Sequence, residues 1–148
     1  MGTYATTVEA QAYFDNRLNT DPWDNAIDAE KTKALAMSTS IIDRLNFRGE
    51  KADAGQELQF PRGEDTTVPQ DVKNACAEVT LALLDGVDPE MEFENLRMKS
   101  MVYGVIRSTY DGERAPEHTV AGIPSSIAWR FLKPYLRNAQ TVDLHRVS

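Results

Sequence analysis

The chain has 148 residues, 41% of them apolar and 26% charged, which predicts one globular domain with one core and excludes wholesale disorder. Its formal net charge of −7 argues against a sequence-independent nucleic-acid binder, which needs basic groups to displace counterions from phosphates. No apolar run approaches a membrane span and no charged start precedes an apolar N-terminal segment, so a soluble protein made in the cytoplasm is expected, and a lone cysteine, Cys76, rules out an internal disulfide.

The elements follow in chain order. Thr6-Thr7-Val8-Glu9 is a capping-box pattern, with Thr6 as N-cap and Glu9 reaching back. It predicts a short helix to about Leu18 with Val8, Ala12 and Leu18 inward and Tyr13 and Phe14 at its side. Asn19-Thr20-Asp21-Pro22 ends it, and Trp23 in the following turn is expected to plug the end of the core. A second helix is predicted from Asp28, as N-cap, to Asn46. Ala34, Leu35, Ser38, Ile41, Ile42 and Leu45 form its buried stripe.

From Phe47 to Val68 the periodicity stops, and a loop of about twenty residues is unusual enough in a compact domain to suggest function. Leu58-Gln59-Phe60-Pro61-Arg62 is its one apolar island, and Leu58 and Phe60 should tack the loop onto the helices.

Pro69 to Gly86 is the most apolar helical segment, and the rest of the chain should pack on it. Pro69 suits a helix start, Asp71 the positive end of the dipole, and Gly86 the left-handed cap. Val72, Ala75, Cys76, Val79 and Leu83 make one stripe, widened by Leu81, Ala82 and Leu84. On that stripe Cys76 reads as a core residue rather than a nucleophile.

Asp88-Pro89-Glu90 could start one further helical turn. The period then changes. Arg97 to Val102, with Lys99 and Met101, and Val105 to Tyr110, with Arg107, read as two strands around a Tyr103-Gly104 turn. Two strands alone are marginal in water, so this hairpin is expected to work between subunits by strand addition. A polar loop, 111–122, precedes a last helix capped by Ser125 or Ser126 and running to about Asn138. Its inner face is Ile127, Phe131, Leu132, Tyr135 and Leu136, with Trp129 at one flank and Pro134 splitting off the last turn. Residues 139–148 alternate Val142, Leu144 and Val147 with polar residues and read as a docking tail.

The charge is uneven. Asp85, Asp88, Glu90, Glu92 and Glu94 face no base within 85–94, whereas Arg130, Lys133, Arg137 and Arg146 face only Asp143 within 129–148. Self-association, an acidic partner surface, or two unevenly solvated faces would each fit. Glycine-rich phosphate cradles, a G-x-S-x-G elbow and EF-hand ligand order are all missing, and His118 and His145 have no Cys or His at metal spacing. A non-enzymatic protein without cofactor or metal is therefore expected. The predicted fold is a mainly α bundle of about four helices with an inserted β-hairpin, a long loop and an extended tail. It forms one domain over 1–138, followed by the tail.

The order of motifs resembles tailed-phage head–tail connector, or head-completion, proteins. The likeness runs from Tyr4-Ala5-Thr6, Val8-Glu9-Ala10, Tyr13-Phe14 and Trp23 through Ile42-Asp43-Arg44-Leu45 and Leu58-Gln59-Phe60-Pro61-Arg62. It continues through Val68 to Lys73, Ala75 and Ala77-Glu78, and ends with Ile123-Pro124-Ser125 and Leu132 to Leu136. The resemblance implies a structural virion protein. It would form a twelve-fold ring between the portal and the next neck or tail protein, with double-stranded DNA passing through its lumen unbound. In that reading Arg137, Val142, Leu144, Arg146 and Val147 meet the portal, and Arg97, Lys99, Met101, Val105, Arg107 and Tyr110 join subunits. One branch of these proteins is labelled DnaT-like and single-stranded-DNA-binding. A single-stranded nucleic-acid-binding accessory protein is accordingly the alternative function.

Overall fold

A computed structural model describes residues 2–98 and 116–137. The chain winds around its central helix, α4 (Gln70–Leu84), which packs against α1 (Thr7–Phe14), α2 (Asp21–Asp24), α3 (Asp28–Asp43) and α7 (Ser126–Leu132). Pro69 is its N-cap, and Gly86 follows its end at φ +91°, a left-handed conformation that costs a side chain dearly. Val72, Ala75, Cys76 and Val79 are wholly buried. Each valine so buried contributes about 1.5–3 kcal/mol. The all-round burial lies at 75–81 rather than in the last turn, where Ala82, Leu83 and Leu84 are half-buried. Neighbouring helices cover the middle of α4 on every side and leave its end at the surface.

α1 starts at the expected capping box: Thr6 Oγ1 accepts from Glu9 N, and Glu9 Oε1 accepts from Thr6 N. The helix stops at Phe14, and its inner face is Ala10 and Phe14. Val8, Ala12 and Leu18 are exposed, contrary to the sequence reading. Phe14 packs on Trp23 at a centroid distance of 4.9 Å, and that pairing sets the rotation of α1. Trp23 is fully buried in α2, with Nε1 donating to Gln11 Oε1 at 2.8 Å.

In α3 the N-cap is Ile27, whose N–H Glu30 accepts. Ala34, Leu35, Ser38, Thr39 and Ile42 are buried, while Ile41 and Leu45 are half-buried. Ser38 and Thr39 tolerate burial because each hydroxyl bonds the carbonyl four residues back, at 2.7 and 3.0 Å. Ser38 Oγ also meets Thr80 Oγ1 on α4 at 2.7 Å.

Helix α5 covers 89–98. It is several turns long rather than one, and it takes in Arg97 and Met98, where a strand was expected. The helix opened at Pro89 simply continues: Asp88 Oδ1 accepts from Glu90 N and Met91 N, satisfying first-turn donors. The hairpin is thus not supported at its start. Lys99, Met101, Val105, Arg107 and Tyr110 lie outside the described residues. Among the described residues there is no strand, only two isolated bridges, Phe47–Leu136 and Lys51–Arg62. The architecture is mainly helical, as the sequence indicated.

α6 (Glu117–Val120) lies within what read as a polar loop. Ser125 caps α7, its Oγ accepting from Ala128 N at 3.1 Å. Pro134 converts the last turn to a 3-10 helix, Lys133–Tyr135. Ala128 and Leu132 are the buried residues of α7, Phe131 is half-buried, and Ile127 is 39% exposed rather than inward. The tail from Asn138, with Val142, Leu144, Arg146 and Val147, lies outside the described residues. No described helix is long and apolar enough to cross a membrane.

Candidate nucleic-acid interface

The long loop between α3 and α4 builds the most distinctive surface. Phe60 is buried at its middle, edge-on to Tyr4 (5.9 Å), Phe47 (4.6 Å) and Tyr135 (5.9 Å). This aromatic cluster is the tack that Leu58-Gln59-Phe60 promised. Two bridges stitch the loop. Ala52 N donates to Pro61 O at 3.0 Å and Gly63 N to Glu50 O at 2.8 Å, which closes the loop on itself. Arg48 N donates to Tyr135 O and Arg137 N to Asn46 O, both at 2.9 Å, which ties the loop to the chain beyond α7. Gly63 turns the closing bridge at φ +62°.

Arg62 holds this arrangement from inside. Its Nε donates to Arg48 O at 2.8 Å, Nη1 to Gln59 Oε1 at 2.8 Å, and Nη2 to Gly49 O at 2.5 Å. A planar five-donor guanidinium suits such carbonyl gathering. No carboxylate neutralises it: Arg48, Arg62 and Arg137 make no ion pair among the described residues. A shallow groove of about 220 Å³ opens beside them, lined by Arg48, Arg62, Phe60, Tyr135, Gly49 and Gly63, with Asp65 at its edge. The Tyr135 hydroxyl donates to Asp71 Oδ2 at 3.1 Å, and partial burial, then that carboxylate, holds the phenol above its ordinary pKa. The result is a shelf with Arg48, Arg62 and Tyr135 side by side, and the exposed Arg137 follows in the chain. Residues 48, 62 and 135 are brought together only by the fold.

The rest of the described surface differs. A wider groove of about 950 Å³ runs past Arg17, Asp21, Glu30, Asp85 and His118. In its floor Glu78 is 2% exposed and takes Arg17 Nε at 2.5 Å, Arg17 Nη2 at 3.0 Å and the Tyr13 hydroxyl at 2.5 Å. Burial, then the Glu78 carboxylate, pushes the Tyr13 phenol well above its ordinary value. Beneath the aromatic cluster the buried Tyr4 hydroxyl donates to Asp43 and accepts from Phe60 N at 3.3 Å. Both clusters are internally satisfied and read as clamps. Cys76 is buried, and desolvation pushes its thiol up to about 11. His118 shares a hydrogen bond with Ile123 O through Nδ1 at 2.8 Å. No group of metal-ligating side chains occurs among the described residues.

Of the site residues expected from sequence, Arg137 is exposed with its N–H bonded to Asn46 O, and Arg97 is exposed on α5. The other portal and hairpin residues fall outside the described chain. Of the expected core, Leu35, Ile42, Val72, Cys76, Val79 and Leu132 are buried, whereas Ile41, Leu45, Leu83 and Phe131 are half-buried. Sequence reasoning missed Arg48, Arg62 and Tyr135 as a group. It placed Phe60 on the loop and Tyr135 on the inner face of the last helix without bringing the two together. The available signal was Arg62, the one charged residue of the loop's apolar island.

Fold and surface define a small, mainly helical domain with a loop-built basic and aromatic face among the described residues. A family model described as "Putative DnaT-like ssDNA binding protein" matches residues 1–147, and the chain belongs to that family. No curated protein matches the chain, and no solved structure does. The family is the branch named in the sequence reading. Connector assembly has no support from these comparisons.

Proposed function

We propose that this chain is a single-stranded-DNA-binding accessory protein, with the strand passing Arg48, Arg137 and Tyr135 on a loop that Arg62 holds in shape. The description of its family points the same way. The observation that carries the reading is a groove lined by the exposed Arg48 and the half-buried Tyr135, with the exposed Arg137 two residues after that tyrosine, neither arginine having an acidic partner among the described residues. Cations supply phosphate affinity, and an aromatic ring accepts unpaired bases of any identity. A duplex keeps its bases stacked and hidden, so the shelf favours single strands. The total charge of −7 keeps the affinity modest. The reading assigns no catalytic role and no cofactor.

The test is a competition for a labelled single-stranded 30-mer by unlabelled single-stranded and duplex DNA. Single strands should compete better, and R48E/R137E should abolish the difference. Equal competition would remove the reading.

One observation favours a second reading, the ring subunit at a phage head–tail junction: the acidic surface, which suits a lumen that DNA must slide through. That reading gives the molecule a place in the virion, portal contacts through its C-terminal end and a non-binding DNA path. Sedimentation of the isolated protein separates the two, because only the ring demands a large homo-oligomer.

A further inference from the structure

We propose that the outer face of α3, with α5 beside it, docks a basic amphipathic helix of a partner protein. Glu30, Lys33, Ala34, Met37, Ile41 and Arg44 recur at helical spacing and share one face of α3. Two cavities lie along that face and meet at Pro89, one of about 420 Å³ around Met37, Leu83, Leu84 and Val87, the other of about 270 Å³ around Ile41, Phe93 and Val120. Met37 is 55% exposed, Val120 52% and Phe93 36%, so this is a continuous apolar seam rather than scattered side chains. From Glu30 to Arg44 it extends about 21 Å at ~1.5 Å per residue, the length of a four-turn helix.

The charge around the seam specifies the occupant. Glu30, Asp88 and Glu90 line the cavities together with Lys33 and Arg44, and Arg44 pairs with Glu90 at 3.9 Å. The stretch 85–94 next to them adds Asp85, Glu92 and Glu94 and no base, so acids outnumber bases around the seam. An apolar floor with an acidic rim selects a helix that presents apolar residues at i, i+3, i+4 and i+7 between lysines or arginines. The same rim repels an anionic lipid surface.

The test uses the full chain and a fluorescein-labelled 14-residue peptide with leucines at that spacing and lysines beside them. A scrambled peptide and one with glutamates for lysines serve as controls. Anisotropy should show binding of the lysine peptide alone, about tenfold weaker to M37E and to F93E and unchanged for V8E, whose exposed side chain lies on α1. Equal binding of the scrambled or the glutamate peptide would overturn the proposal, as would M37E and F93E binding normally with unaltered circular dichroism. Sedimentation supplies the remaining arm. A wild-type dimer dissolved by M37E would assign the seam to a second copy and overturn the partner helix.

Discussion

Replacing Arg17 by methionine should destabilise the fold by about 3 kcal/mol. Glu78 is 2% exposed on the central helix and receives three donors, two of them from Arg17. The substitution keeps the bulk of the stem and leaves a buried carboxylate with only the Tyr13 hydroxyl. Breaking a buried pair from one side costs about 3–5 kcal/mol, since the remaining charge stays desolvated. The low end applies here, because the Arg17 side chain is 23% exposed to an open groove and water can reach the gap. For a chain of this size about 3 kcal/mol lowers Tm by roughly 6–12 °C. The double variant R17M/E78M should recover to within about 1 kcal/mol of the parent, because apolar replacements of a buried pair are often neutral. Guanidinium unfolding followed by far-ultraviolet dichroism measures both, and the double-mutant cycle isolates the coupling. A single R17M variant within about 0.5 kcal/mol of the parent would refute the reasoning, showing that water already screens the pair.

Trp23→Ala should cost about 3–5 kcal/mol in the same assay, since the ring is wholly buried against Phe14 and its indole N–H is bonded. Glu9→Gln keeps the cap but loses the charge facing Lys73, whose hydrogen bond holds the Glu9 carboxyl below its ordinary pKa. A depressed carboxylate stabilises above its unfolded pKa and stops doing so as pH falls through the folded one. The parent should therefore be the more stable at pH 7, and the two melting curves should converge from about pH 4 downward. Cys76 should resist an aromatic disulfide reagent at pH 8 until the protein is unfolded, because burial raises its thiol to about 11. Fast labelling of the native protein would contradict the central packing.

Local signals in the sequence located most helices. Thr6 with Glu9, Pro69 with Gly86, Ser125 and Pro134 each act through neighbours within a few residues, and each appears in the fold as chemistry requires. Facing and continuation were less legible. In an eight-residue α1, Val8 and Ala12 formed as good a stripe as Ala10 and Phe14, and only the distant Trp23 decides between them. The alternation from Arg97 onward suggested a strand, but no helix breaker separates it from Pro89, and α5 runs on. The candidate shelf was invisible because Arg48 and Tyr135 meet only through a bridge joining segments nearly ninety residues apart in the chain. Glu78 gave a fainter warning, a charge in the middle of the most apolar helix, but its cation lies outside that helix.

The most direct test of the central claim is the salt dependence of binding to a labelled single-stranded 30-mer. Arg48 and Arg137, both exposed, predict a slope of about −1.4 in log affinity against log salt, at about −0.7 per contact. Affinity should then fall roughly sevenfold between 50 and 200 mM salt. In R48E/R137E the slope should fall towards zero or binding should vanish. No binding by the parent chain at low salt, or a slope indifferent to these two arginines, would contradict the account.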